Sequence, residues 1–204
     1  MKLIKHILLL ALVVLISAGC APPVTYVVDV EYTPELKEEV TTKPEKIQIA
    51  IVPFEDARDD KMIIGTRRHI FGRIDKFDAR PAPVTDAVTQ ALVSAMKIRG
   101  YQTVVLQKGT TGEGVKQSPP HLIVSGKIED LWADARSKLG YTDIKTNVRL
   151  KVKVYKVDEK NSYTINVQSQ SEPRVAFFNP SVMQKSVNDT LTDAINHLIA
   201  NQIK

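Results

Sequence analysis

The chain has 204 residues, with 28 Lys and Arg against 23 Asp and Glu, and one cysteine, Cys20. That length suits one domain with a real core, and the near-balanced charge carries no basic footprint for nucleic acid. A single cysteine excludes intrachain disulfides and cysteine-based metal clusters.

Residues 1–19 read as an export signal. Lys2 and Lys5 form a short positive region, residues 7–16 (ILLLALVVLI) an unbroken apolar run, and Ser17-Ala18-Gly19 a small-residue stretch before Cys20. This is the order of a secretory signal. The apolar run is about half of the ~20 residues that a mature helix needs to span a bilayer. Ser17-Ala18-Gly19-Cys20 resembles the lipobox of bacterial lipoproteins, with Ser17 where that motif usually has Leu. The resemblance implies a diacylglyceryl thioether on Cys20, cleavage before it and acylation of the new amino terminus. Two or more acyl chains anchor stably where one holds only marginally. Ala21 stands where an Asp would resemble an inner-membrane retention signal, so the expected location is the outer membrane, facing the periplasm. Losing Lys2 and Lys5 leaves 26 cations against 23 anions in the mature chain. Acylated Cys20 leaves no thiol for catalysis.

Residues 20–46 are expected to form a lipidated tether. Pro22, Pro23, Pro34 and Pro44 and the charged stretch at 35–39 favour an extended linker, with one docked piece within 26–32 (YVVDVEY). The periplasmic domain is expected over 47–204. Residues 47–54 (IQIAIVPF) have little polar surface and predict a central strand buried on both sides. Residues 55–61 (EDARDDK) predict a charged loop. Residues 62–65 predict a second strand or hairpin arm, and 66–80 a long, partly irregular loop.

Residues 81–99 predict an amphipathic helix. Val84, Val88, Ala91, Leu92, Ala95 and Met96 share one face, and Gly100 stops it. Residues 101–106 (YQTVVL) then predict a strand. The next strand, 122–132, is expected to turn Leu122, Val124, Ile128 and Trp132 to one side. Residues 144–154 alternate most clearly, with Ile144, Val148, Leu150, Val152 and Val154 inward. Residues 163–168 alternate in turn, and the two runs predict an antiparallel hairpin. Asn179-Pro180 opens a last helix with the stripe Met183, Val187, Leu191, Ala194, Ile195, Leu198 and Ile199. The expected fold class is α/β (α+β): a mixed, largely antiparallel sheet of about five strands with two main helices packed on one face.

No motif names a reaction. Residues 109–116 (GTTGEGVK) superficially resemble a phosphate loop. Val115 separates Gly114 from Lys116, and Ser118-Pro119-Pro120 cannot open the helix that would hold phosphate. Asp56, Asp59 and Asp60 lack calcium-loop spacing. The histidines have no paired spacing, and there is no G-x-S-x-G elbow. No enzyme activity, metal or cofactor is expected. Two surfaces remain as partner-binding candidates. One is the basic stripe Lys145, Arg149, Lys151 and Lys153, on a sheet face left open if both helices cover the other. The bland alternative is a solvated face. The other is the loop pair Asp56 and Arg58 with Arg67 and Arg68, for which the bland alternative is a local ion-pair network.

With IAIVPFEDAR at 49–58, Ala91-Leu92, Gly100-Tyr101 and Gly126-Lys127-Ile128 in view, residues 47 to about 200 resemble YajG-type bacterial lipoproteins. The layout is also similar to the lipoprotein activators of penicillin-binding proteins and to the amino-terminal domain of TolB. The resemblance implies a non-enzymatic binding or accessory module in the cell envelope. Its expected partners are the membrane, through lipid on Cys20, and an envelope protein. The alternative is an envelope structural or transport-accessory protein that contacts anionic lipid or glycan through the basic sheet face.

Overall fold

The computed structural model describes residues 22–34, 47–80, 82–106 and 119–202. In chain order these form β1 (Thr25–Val27), β2 (Gln48–Ile51), β3 (Glu55–Asp56), β4 (Ile63–Arg68), β5 (Ile74–Asp78), α1 (Val84–Ile98), β6 (Gln102–Val105), β7 (Leu122–Lys138), β8 (Tyr141–Lys156), β9 (Asn161–Ser171), β10 (Arg174–Val175) and α2 (Pro180–Gln202). Strand β7, 17 residues long, is the spine. Along one edge it accepts three parallel strands in succession: β2 beside residues 122–124, β3 beside 127–128 and β4 beside 133–136. Along the other edge it pairs antiparallel with β8 over its whole length. The far edge of β8 carries β9 and then β10. Beyond β2 lies β6, and beyond β4 lie β5 and β1.

The expected mixed sheet with two helices is present, and the predicted β8–β9 hairpin forms as read. The strand count and sense are corrected. The described residues form ten strands, and five pairings are parallel (β1–β5, β2–β6, β2–β7, β3–β7, β4–β7) against four antiparallel. The loop expected over 66–80 is also corrected: β4 and β5 form an antiparallel hairpin there. Its pattern is broken, since Asp75 and Asp78 are buried with Phe77 while Ile74 is exposed. Buried aspartates mask the apolar-in, polar-out alternation on which a strand assignment rests. Residues 55 and 56, expected in a charged loop, form β3.

Trp132 is not on the core face. The β7–β8 register shifts between Ile128 and Asp130, so Glu129 is the extra residue of a β-bulge. Before it Val124 and Ile128 point inward; after it Leu131, Ala133 and Ala135 do. Gly126 has a packing reason: a Cβ there would lie 2.3 Å from Cε1 of the buried Phe54 ring.

Both helices pack on one face of the sheet over a single core cluster. All seven predicted stripe residues of α2 are buried, and a fully buried side chain of this kind is worth about 1.5–3 kcal/mol. The Asn179 carboxamide oxygen caps α2 by accepting from the Val182 N–H at 3.1 Å. Helix α1 ends at Gly100, whose φ of 85° is left-handed. The Thr89 hydroxyl accepts from the Phe54 N–H at 3.0 Å and ties α1 to the end of β2.

The segment expected as a tether is docked over much of its described length. After β1 pairs with β5, Asn188 of α2 accepts from the Glu31 N–H at 3.1 Å and donates to the Asp29 carbonyl at 3.1 Å. Thr192 and Asn196 accept from the Thr33 N–H at 3.0 Å and the Tyr32 hydroxyl at 2.8 Å. The described segment 22–34 thus runs from one end of the sheet as a strap along α2. The signal segment, Cys20, residues 35–46 and the 109–116 run lie outside the described residues.

Candidate functional site

The sheet face opposite the helices carries the predicted basic stripe. Lys145, Arg149, Lys151 and Lys153 all alternate outward along β8, yet they are not equivalent. Lys145 pairs with Glu172 at 2.7 Å and Arg149 with Asp130 at 3.8 Å. Asp130 also accepts from Asn147, whose carbonyl oxygen accepts from Gln168 and Gln170 at 3.3 and 3.2 Å. Nearer the β7–β8 turn, Asp134 pairs with Arg136 at 2.8 Å, and Asp143 with Lys138 and Arg174 at 2.9 and 2.6 Å. Those two cations hold the Asp143 carboxyl below its usual range, chiefly through hydrogen bonds from Arg174 and then Lys138.

Lys151 and Lys153 have no such partner among the described residues. They rim a shallow cleft of about 240 Å3 together with Lys127, whose ammonium lies 3.3 Å from the exposed Glu55. Val52 and Pro53 supply an apolar wall, and the β9 side is uncharged at Thr164. This cleft suits an anionic group that also carries apolar surface.

The second predicted surface divides. Arg58 is buried, and its guanidinium grips Asp56 through Nε at 3.0 Å and Nη2 at 2.8 Å. It also donates to the carbonyls of Lys61, Ile63 and Leu131 at 3.1, 3.3 and 3.3 Å. This is the local network, and it fastens the 56–63 loop to β7. Burial raises the Asp56 carboxyl, but the Arg58 hydrogen bonds and charge, with Lys61, outweigh it and leave the carboxyl below its usual range. Asp60 accepts from the Met62 and Ile63 N–H groups, both at 2.9 Å, and closes the same loop. Arg67 and Arg68 sit beside residues 135 and 136 of β7, whereas Asp56 sits beside 128. Seven residues of strand put the two halves about 20 Å apart, so the structure does not bring them together. Arg68 is exposed. Arg67 donates to the Ser137 hydroxyl at 3.0 Å and stacks 4.0 Å over the Phe178 ring.

Sequence reasoning missed the end of the sheet beyond Arg67. The β4–β5 turn, the β7–β8 turn and the β10–α2 loop meet there around an open depression of about 400 Å3. Their tips are Phe71, Leu139 and Phe177, 98%, 91% and 90% exposed. The signal available was a large apolar side chain beside a turn former, as in Phe71-Gly72 and Leu139-Gly140. Beneath the tips, buried Asp75 accepts from His69 Nε2 at 2.6 Å and the Val24 N–H at 3.1 Å, and pairs with Arg73 Nε at 3.2 Å. Burial raises the Asp75 carboxyl, but these partners outweigh it and hold the carboxyl below its usual range.

The class these features define is an α+β domain with helices on one sheet face and an open, polar opposite face. No protein-family model matches the chain, and no curated protein matches it. Solved structures do. A Xanthomonas campestris protein of the family model DUF330 aligns at a TM-score of 0.52 and 12% identity, covering 86% of this chain and 92% of its own. A Helicobacter pylori protein described as a neuraminyllactose-binding hemagglutinin homolog aligns at 0.45 and 8%, covering 86% and 92%. A Neisseria meningitidis lipoprotein, GNA1162, aligns at 0.36 and 13%, covering 76% and 99%. Of these three, only the Xanthomonas structure exceeds a TM-score of 0.5, and at 12% identity it shows a shared fold and nothing of activity.

Proposed function

We propose that the chain is a YajG-type lipoprotein of the bacterial envelope that acts by binding rather than catalysis. It is held to the periplasmic side of the outer membrane through Cys20. An acidic segment of an envelope protein docks on the outer sheet face at Lys127, Lys151 and Lys153. The observation that carries this reading is the division of the basic stripe. Lys145 and Arg149 are neutralised by Glu172 and Asp130, while Lys151 and Lys153 have no ion-pair partner among the described residues and flank an apolar-walled cleft. Unpaired cations on a rigid sheet steer and register an anionic partner more than they stabilise the fold. The signal-like first 19 residues and the Ser17-Ala18-Gly19-Cys20 motif support the anchored location.

Two measurements test the two halves of the reading. Intact mass of the membrane-extracted protein should show loss of residues 1–19 and lipid on Cys20, absent from Cys20→Ser; an unprocessed, unlipidated chain removes the anchor. A photo-crosslinking side chain at Thr164 of the full chain should give a discrete adduct in cells. Lys151→Glu with Lys153→Glu should abolish it. An adduct of unchanged yield in that double variant, or none in the parent, overturns the docking face. Capture of anionic lipid or glycan in place of a protein also overturns it.

A further inference from the structure

We propose that the end of the domain formed by the three loop tips rests on the membrane, with Phe71, Leu139 and Phe177 immersed at the headgroup–acyl boundary of an anionic leaflet. This deepens the anchored reading and rests on it. The tips come from three separate turns, yet all three turns line one depression, so their exposed apolar side chains share one end of the molecule. A contiguous exposed apolar patch marks a protein or membrane contact. Phe and Leu at the tips of three separate turns fit an interface that needs no complementary shape. Withdrawing each side chain from water favours contact with an apolar phase.

Charge points the same way. Arg67, Arg68, Arg73, Arg136, Lys138 and Arg174 surround the tips, against Asp75, Asp134 and Asp143. A surplus of cations collars the apolar tips, and Lys and Arg side chains are drawn to an anionic leaflet. Arg174 and Lys138 also lie over the Tyr141 ring, 4.4 and 5.5 Å from its centroid. Amphipathic rings and snorkelling cations together are the usual furniture of a bilayer interface.

The position of the anchor is the independent observation. The Val24 N–H donates to Asp75 and its carbonyl accepts from the Lys76 N–H at 2.9 Å. The chain is therefore pinned at the start of β5, directly after the turn that carries Phe71. Cys20 lies four positions before Val24, a reach of at most about 14 Å. Lipid on Cys20 would enter a bilayer beside these tips and not at the β8–β9 turn, which lies about 50 Å away along β8. The domain would then sit directly on the leaflet and present its outer sheet face sideways.

The test uses full-length lipidated protein reconstituted into vesicles of phosphatidylethanolamine and phosphatidylglycerol with brominated acyl chains. Single tryptophans are introduced as Phe71→Trp, Leu139→Trp, Phe177→Trp and, in the far turn, Glu159→Trp, each in a Trp132→Phe background. Flotation and intact mass report the Cys20 anchor; quenching reports the docking. We expect the three tip tryptophans to shift to the blue and lose most of their emission, and the Glu159→Trp probe to lose little. Protein that floats but leaves the tips unquenched, or quenches all four probes alike, overturns the docking while the anchor stands. Protein that lacks lipid overturns the anchor, and quenching after simple addition to the vesicles then judges the docking alone. A blue-shifted emission present before vesicles and unaffected by bromine would assign the tips to a second copy of the chain, and also overturns it.

Discussion

At the scale of residues, the most consequential charges are the buried ones. Arg58 is buried and spends its whole fork on Asp56 and three carbonyls, so removing it leaves a half-buried carboxylate with only the Lys61 ammonium at 3.9 Å. Arg58→Ala should cost about 3–5 kcal/mol in urea unfolding. Arg58→Lys should recover only part of that, because an ammonium cannot reproduce the planar bidentate contact. A cost under half a kilocalorie for the alanine variant would place Arg58 among ordinary surface pairs. Asp56, Asp75 and Asp78 are all held below their unfolded value of 3.8. For Asp78 the leading cause is the hydrogen bond from Arg80. A carboxyl depressed in this way stabilises the fold fully above 3.8, and the contribution is lost as the pH falls through the native value. Thermal midpoints should therefore drop steeply below about pH 4. Asp75→Asn should lower the midpoint at neutral pH and flatten the acid limb. An unchanged acid limb would show that Asp75 does not carry the transition.

At the scale of elements, the bulge at Glu129 makes a prediction that reverses the usual intolerance to deletion. Alternation has period two, so losing one strand residue turns everything beyond it inside out. Glu129 is the extra residue of β7, and without it Ile128, Leu131, Ala133 and Ala135 still alternate inward. Deleting Glu129 should leave a folded protein. Deleting Arg149, opposite it on β8, should turn Leu150, Val152 and Val154 out and Lys151 and Lys153 in, and abolish folding. Circular dichroism and protease resistance of the two variants distinguish these outcomes; two equally unfolded variants would refute the assignment of the bulge. The same residue explains a failure of sequence reading, since Glu129 looks like any exposed strand residue and nothing marks the phase change that turns Trp132 outward. Both helices and the β8–β9 hairpin were legible because their apolar stripes are uninterrupted. Strand β5 was not, because Asp75 and Asp78 are interior. Lys151 and Lys153 were legible as a basic stripe. Their distinction from Lys145 and Arg149 was not, since it depends on Glu172 and Asp130, which pairing alone brings near. Arg58 was read as surface because an arginine is rarely interior without a partner, and its partner's role shows only in three dimensions.

At the scale of the molecule, β7 is the joint. Ahead of it, β2, α1 and β6 make one parallel unit, and β1, β4 and β5 make a second unit of mixed sense. Among the described residues no strand pairing links the two units except through β7. Both wait for partners about 70 residues further along the chain. Residues 122–171 pair with close neighbours and close small loops, which is the fast kind of folding. A chain ending at residue 120 should therefore stay sensitive to protease throughout, and resistance in its first half would contradict this order. If the chain is exported as proposed, the same joint governs delivery. A polypeptide that crosses a membrane amino end first must remain thread-like while it passes. Here the two leading units have no spine to join until the trailing half has followed them through, so the order of the strands itself keeps the leading half open during passage.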